Sequence, residues 1–191
     1  MVVRLIPYEV EEELPFTSLV LKSIVFGVIN KFTCHGEVLY ACFEEMDCDV
    51  PEDIAMGIIE DASAEAGLTP ALVVRTRKGY HIYFREYYHS FFDSLLMASR
   101  FRDALPCACR DIRHLLYAIR TYFSMKGWER YVLRVTPTKY VRDYFKVVYW
   151  RPPSDPCVRR FLRFVKDAYT SSTLIKLYSQ VLLGGKKWVE S

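Results

Sequence analysis

No stretch of more than nine residues in this 191-residue chain is free of Lys, Arg, Asp and Glu. A membrane-spanning helix needs roughly 20 apolar residues, so none is expected, and neither is a membrane partner. The start shows no leader built from a basic, an apolar and a small-residue segment, so a cytoplasmic location is expected. There is no internal repeat and no low-complexity tract. The six cysteines include no Cys-x-x-Cys pair, and Cys107-x-Cys109 has no second pair at zinc-finger spacing. No zinc is therefore expected, and the thiols are expected to be reduced, a disulfide being the alternative for a hyperthermophile source. Disorder is excluded, because a chain with 15% aromatic residues carries too much apolar surface to stay unfolded.

Charge is plentiful but unevenly placed. Residues 1–70 hold three basic residues (Arg4, Lys22, Lys31) against fourteen acidic ones, a net of −11, while residues 71–191 carry a net of +14. Such asymmetry points to a polyanion partner for the basic part, or to two halves that neutralise each other across one fold.

Along the chain, residues 1–6 read as a strand followed by an acidic turn (Glu9, Glu11, Glu12, Glu13) closed by Pro15. Residues 16–32 are apolar, and periodicity leaves helix and strand open. A buried strand is expected at 38–46. A helix follows at 51–66, with Pro51 in its first turn, Ile54, Ile58 and Ile59 on one face, and Gly67 closing it. Strands at 71–76 and 80–85 flank the turn Arg77-Lys78-Gly79, helices occupy about 90–105 and 111–124, and strands follow at 130–136 and 144–150. After the punctuation at 151–156, Val158, Phe161, Leu162 and Val165 form the apolar stripe of a helix, and a short apolar helix is expected at 173–183. The order implies an α/β (α+β) fold, a central antiparallel or mixed sheet with flanking helices. The division is a domain over 1–150 and a C-terminal helical extension over 151–191 packed on it.

Two segments carry chemistry. Glu45, Asp47 and Asp49 are spaced by two, so in an extended chain they project from one face. Like charges this close need neutralising, and Mg²⁺ or Mn²⁺ does so while keeping positions open for phosphates. The plainer alternative is a solvated acidic turn before a helix. Further on, Arg75-Thr76-Arg77-Lys78-Gly79-Tyr80-His81-Ile82-Tyr83-Phe84 combines a basic, glycine-containing turn with His81. Such a turn suits the approach of a phosphate, to which His81 would donate. Tyr80, Tyr83, Tyr87 and Tyr88 are candidates for stacking on bases, or for packing.

Together these segments resemble the archaeo-eukaryotic primase, or primase–polymerase, superfamily. Its core has a strand ending in Asp-x-Asp, then a helix, then a strand and turn of the type Arg-Thr-x-x-Gly-Tyr-His-x-Tyr-Phe. The run Val132-Leu133-Arg134-Val135-Thr136-Pro137-Thr138-Lys139-Tyr140 looks like the Leu-Arg-x-x-x-Lys strand of compact members, so the likeness spans roughly residues 36–150. It implies a primase–polymerase-like fold and template-directed joining of nucleoside triphosphates on DNA or RNA, with replication proteins as further partners. Asp47 and Asp49 would bind two Mg²⁺ or Mn²⁺ ions, with Glu45-Met46-Asp47 as the alternative register and Asp111 or Asp143 as the third carboxylate. Asp47, Asp49 and His81 would be catalytic. Arg77, Lys78, His81, Arg134 and Lys139 would hold phosphate. Outside the likeness, the basic positions Arg159, Arg160, Arg163 and Lys166 of the helix after 156 read from the residues themselves as a grip for nucleic acid, with a partner protein or a solvated face as the alternatives. The family's zinc-binding insertion is missing. A non-catalytic nucleic-acid-binding or replication-associated protein on the same fold is the alternative.

Overall fold

The computed structural model describes residues 2–13, 20–124, 127, 129, 131–134 and 145–170, the side chains of 2–13, 20–26 and 134 excepted. The helix expected at 173–183 lies outside these residues. The strands are β1 (Val2–Glu13), β2 (Val20–Cys34), β3 (Glu37–Met46), β4 (Pro70–Arg75), β5 (Tyr80–Tyr88), β6 (Val132–Arg134) and β7 (Lys146–Trp150). The helices among the described residues are α1 (Glu52–Ala66), α2 (Phe91–Ala104), α3 (Arg113–Ser124) and α4 (Pro156–Thr170), with a 3₁₀ turn at Cys107–Cys109. No helix among the described residues is long and apolar enough to cross a membrane.

All seven strands belong to one antiparallel sheet, in the order β1-β2-β3-β5-β4-β7 with β6 on β2. β3 and β4 run parallel with β5 between them, the split β-α-β arrangement whose crossover is α1. The fold is thus mixed α+β, as the order of elements implies. Its start differs from expectation. From Val20 onward the ambiguous apolar segment is strand β2, and Glu9–Glu13 form no turn but continue β1 against Val20–Ile24. A fifteen-residue strand rich in Val, Ile and Phe offers a long ladder, and pairing along it outweighs the poor strand preference of glutamate.

β2 and β3 are joined by His35-Gly36, with φ of 51° and 86°. Two successive positive φ values are what a tight type I′ hairpin requires. β2 stays with β3 only over Lys31–Cys34, then turns to β6, which it meets over Gly27–Ile29. At the point of divergence Asn30 N–H donates to Tyr131 (2.9 Å), and Ser94 Oγ of α2 donates to the Ala41 carbonyl (2.8 Å). Ser94 Oγ thereby stands in for the strand partner that β3 loses at Ala41, while the Asn30 bond joins the backbone of β2 to the segment just before β6.

Helices cover both faces. On one, α2 sets Phe101 against Phe84 (4.9 Å between ring centroids) and Phe91 against Tyr40 (5.9 Å), with α1 packed beside it. α1 ends in left-handed Gly67 as expected, but its buried face is Ala55, Ile59, Ala62, Ser63 and Ala66. Ile54 is half exposed, because small residues let α1 approach α2 closely and the stripe turns away from it. On the other face α4 buries Val158, Phe161, Leu162 and Val165, with Phe161 stacked on Phe32 of β2 at 4.7 Å.

The thiols are a second correction. Cys34 is bonded to Cys157 and Cys48 to Cys109, with Cα atoms 5.9 and 4.7 Å apart, distances a disulfide spans. The partners are 123 and 61 residues apart in sequence, so no spacing rule pairs them. Cys42 is a buried free thiol, as its apolar setting implies, and Cys107 is free and exposed.

Candidate functional site

The acidic end of β3 is where the two chemistry-bearing segments meet. The strand ends at Met46, and Asp47–Val50 leave it, held from two sides. From one side the turn between β4 and β5 closes through Thr76 N–H to the Gly79 carbonyl (2.7 Å) and presses its backbone on β3. A Cβ at Gly79 would lie 1.9 Å from the Met46 carbonyl oxygen and 3.0 Å from Cys48 N. Glycine is therefore required for close approach to this chain's own backbone. Tyr80 Oη also donates to the Val50 carbonyl (2.7 Å). From the other side Asp47 N–H donates to the Cys109 carbonyl (3.0 Å), beside the Cys48–Cys109 bond.

Because the chain leaves the strand at Met46, the three carboxylates part. Glu45 stands opposite His81 in register, with Oε1 3.7 Å from His81 Nε2. Its Oε2 is 2.8 Å from Nε2 of His114 on α3. Burial works against the charge of Glu45, but the hydrogen bonds from His114 and His81 outweigh it and hold the carboxyl well below its usual range. Burial likewise opposes charge on His114, and its bond to Glu45 wins and raises its pKa. Asp47 Oδ2 lies 3.6 Å from Arg113, whose guanidinium also binds Asp111 at 2.5 and 2.8 Å. Asp111 further accepts the Arg113 backbone N–H (2.8 Å) at the start of α3. Asp49 is exposed and 3.3 Å from Arg75, which also reaches Glu52 (3.6 Å).

His81 is only 4% exposed. Its Nδ1 is 2.6 Å from the hydroxyl of Tyr169 on α4, which is 2.7 Å from the Tyr83 hydroxyl. Phe145 closes the same side, its ring 6.1 Å from the imidazole. His81 thus faces the underside of α4. Tyr80 and Tyr83 are fully buried, which removes them as stacking platforms, while Tyr87 and Tyr88 are half-buried. Beside Glu45, Glu44 points into the interior. Its Oε1 accepts from Tyr131 (2.7 Å) and from Glu45 N–H (3.0 Å), Oε2 has no partner among the described residues, and burial raises its pKa to about 7.

Every carboxylate of the expected metal set is thus engaged by a cation of the chain. Among the described residues, no three ligand atoms of Glu45, Asp47, Asp49, His81 and Asp111 come within 4.8 Å of one another. As arranged, this donor set does not fit two hard divalent cations, which need carboxylates converging on ions about 4 Å apart.

The basic residues behave differently from one another. Arg77 and Lys78 sit exposed at the tip of the turn, and Arg160 and Arg163 on the outer side of α4, all without an ion-pair partner among the described residues. Arg159 is spent on the carbonyls of Pro153 (2.8 Å) and Ser154, and Lys166 lies over the Trp150 ring (5.4 Å). The side chain of Arg134, and Lys139 and Asp143, lie outside the described residues. Sequence reasoning missed Arg113, His114 and Tyr169. The run Arg110-Asp111-Ile112-Arg113-His114 is a legible basic cluster, but nothing in it points to Glu45, 69 positions earlier. No family model matches the chain, and neither a curated protein nor a solved structure matches it.

Proposed function

We propose that the chain is a non-catalytic nucleic-acid-binding protein that grips the phosphate backbone through the outer face of α4. One observation carries this reading: α1 and α4, on opposite faces of the sheet, differ in the sign of their charge, α4 carrying four bases against the single carboxylate Asp167. α1, on one face of the sheet, bears Glu52, Asp53, Glu60, Asp61 and Glu65 and no base. α4, on the other, presents Arg160 and Arg163 one turn apart with no carboxylate paired to them among the described residues. Carboxylates at the end of β3 are meanwhile neutralised within the chain, by Arg75, Arg113 and His114. Unpaired surface arginines at this spacing suit phosphates, and binding through them is sequence-independent and releases counterions.

A second reading on the same fold is metal-dependent nucleotidyl transfer of the primase–polymerase type. It is favoured by the position of Glu45 directly opposite His81, with Asp47 two residues further along the chain. The burial of His81 beneath Tyr169 speaks against it.

One set of measurements separates the two. Fluorescence anisotropy with labelled DNA and RNA should show affinity falling steeply between low and moderate salt. Arg160→Glu with Arg163→Glu should weaken binding and shallow the log–log salt slope by about 2 for duplex DNA. Binding that ignores salt, or an intact slope in the double variant, removes the α4 surface from consideration. Nucleotide incorporation with Mn²⁺ that Asp47→Asn abolishes, at unchanged nucleic-acid affinity, replaces the proposal with the enzymatic reading.

A further inference from the structure

The Cys34–Cys157 bond has a third potential ligand beside it. The two sulfurs and a ring nitrogen of His35 all lie within 4.8 Å of one another, the one such group of three His, Cys, Asp or Glu ligands among the described residues. Cys34 ends β2, His35 is the first residue of the hairpin turn, and Cys157 is the second residue of α4. The two cysteines are buried, whereas His35 is exposed, so the group opens to solvent on the imidazole side. The Cys48–Cys109 pair has no such third ligand among the described residues.

We infer that, once reduced, Cys34, His35 and Cys157 form a binding site for Zn²⁺. Two thiolates and an imidazole are the borderline-soft donors zinc prefers over Mg²⁺ or Ca²⁺, and three protein ligands leave the fourth tetrahedral position to water. With Zn–S bonds of about 2.3 Å, tetrahedral sulfurs sit about 3.8 Å apart, a separation that opening the disulfide and small side-chain rotations supply. The first turn of α4 favours the Cys157 thiolate. Opening the bond takes two electrons and two protons and gives two thiols: a dithiol supplies both and becomes a disulfide, whereas a phosphine supplies the electrons and becomes its oxide with the oxygen of water, which gives the protons. Zinc then displaces both thiol protons. In either state the link ties the β2–β3 turn to the start of α4, so zinc keeps α4 docked where a reducing environment would open a disulfide.

The test uses the full chain reduced with a phosphine and titrated with Co²⁺ as a spectroscopic probe, then with Zn²⁺. One equivalent of Co²⁺ should bind with thiolate-to-metal charge-transfer absorption, and Zn²⁺ should displace it and raise the melting midpoint. The disulfide-bonded protein should show neither effect. His35→Asn keeps a residue suited to positive φ and removes the imidazole, and should weaken Zn²⁺ binding by more than about tenfold. Cys157→Ser should abolish binding, and Cys107→Ser should leave it unchanged. Failure of the reduced protein to bind, unaltered affinity in His35→Asn, or loss of binding in Cys107→Ser overturns the assignment, and the His35 variant decides the matter if Cys157→Ser does not fold.

Discussion

Glu44 is a carboxyl in the wrong solvent. Burial raises its pKa to about 7, and only one of its oxygens is bonded among the described residues. A folded pKa above the unfolded value means that stability is full below the unfolded pKa and declines as pH rises through the folded one. From pH 5 to pH 8 this group should cost the fold about 2 kcal/mol. His114, whose pKa is also raised, pushes stability the same way, so the clean measurement is a difference. The stability gap between Glu44→Gln and wild type should move in favour of the variant by about that amount across the range, read by urea denaturation at each pH. Gly79 makes the opposite kind of demand, steric rather than electrostatic. Gly79→Ala would drive a methyl group against the Met46 carbonyl, and the expected loss is about 3 kcal/mol or more, measured by the same denaturation. The sequence marks Gly79 as a turn glycine; that the turn rests on β3 is visible only in three dimensions.

Among the elements, α4 and β2 show how far a pattern reaches. The stripe Val158, Phe161, Leu162, Val165 foretells both the helix and its buried face, because the alternative would leave four large apolar groups in water. It does not foretell that the same helix brings Tyr169 onto His81, at the far end from Cys157. Phe161→Ala deletes a fully buried ring stacked on Phe32 and should cost about 3–5 kcal/mol. Hydrogen exchange should show the protection lost first along α4. In β2 the apolar run fits either periodicity, and the deciding factor is a partner: β1 on one side, with β3 and then β6 on the other.

Across the whole molecule, two disulfides and a divided charge set the constraints. The Cys34–Cys157 link closes the larger loop, its ends 123 positions apart, and encloses the Cys48–Cys109 loop. In chelator-treated buffer, Cys157→Ser should lower stability by about 2–4 kcal/mol, seen as a lower melting midpoint than that of the oxidised wild type. The two charged halves of the sequence are joined at the end of β3, where Asp47, Asp49, Glu52 and Glu45 meet Arg113, Arg75, Lys146 and His114. They stay apart at α1 and α4, which the sheet holds on opposite faces.

By itself the sequence determined the α+β class, the central strands β3, β4 and β5, the helix between β3 and β4, and the apolar stripe of α4. These follow from local periodicity, from Gly67 and from the β4–β5 turn chemistry, all readable within a few residues. It also brought Glu45 and His81 to notice as members of one site. Only the tertiary structure decided that Glu45 stands against His81 and His114, that Arg113 takes Asp47 and Asp111, and that cysteines 123 positions apart meet. Each of these rests on a long-range approach between side chains whose sequence spacing carries no signal. Whether a row of carboxylates holds metal or pairs with arginine is set by where the chain turns, and here it turns at Met46.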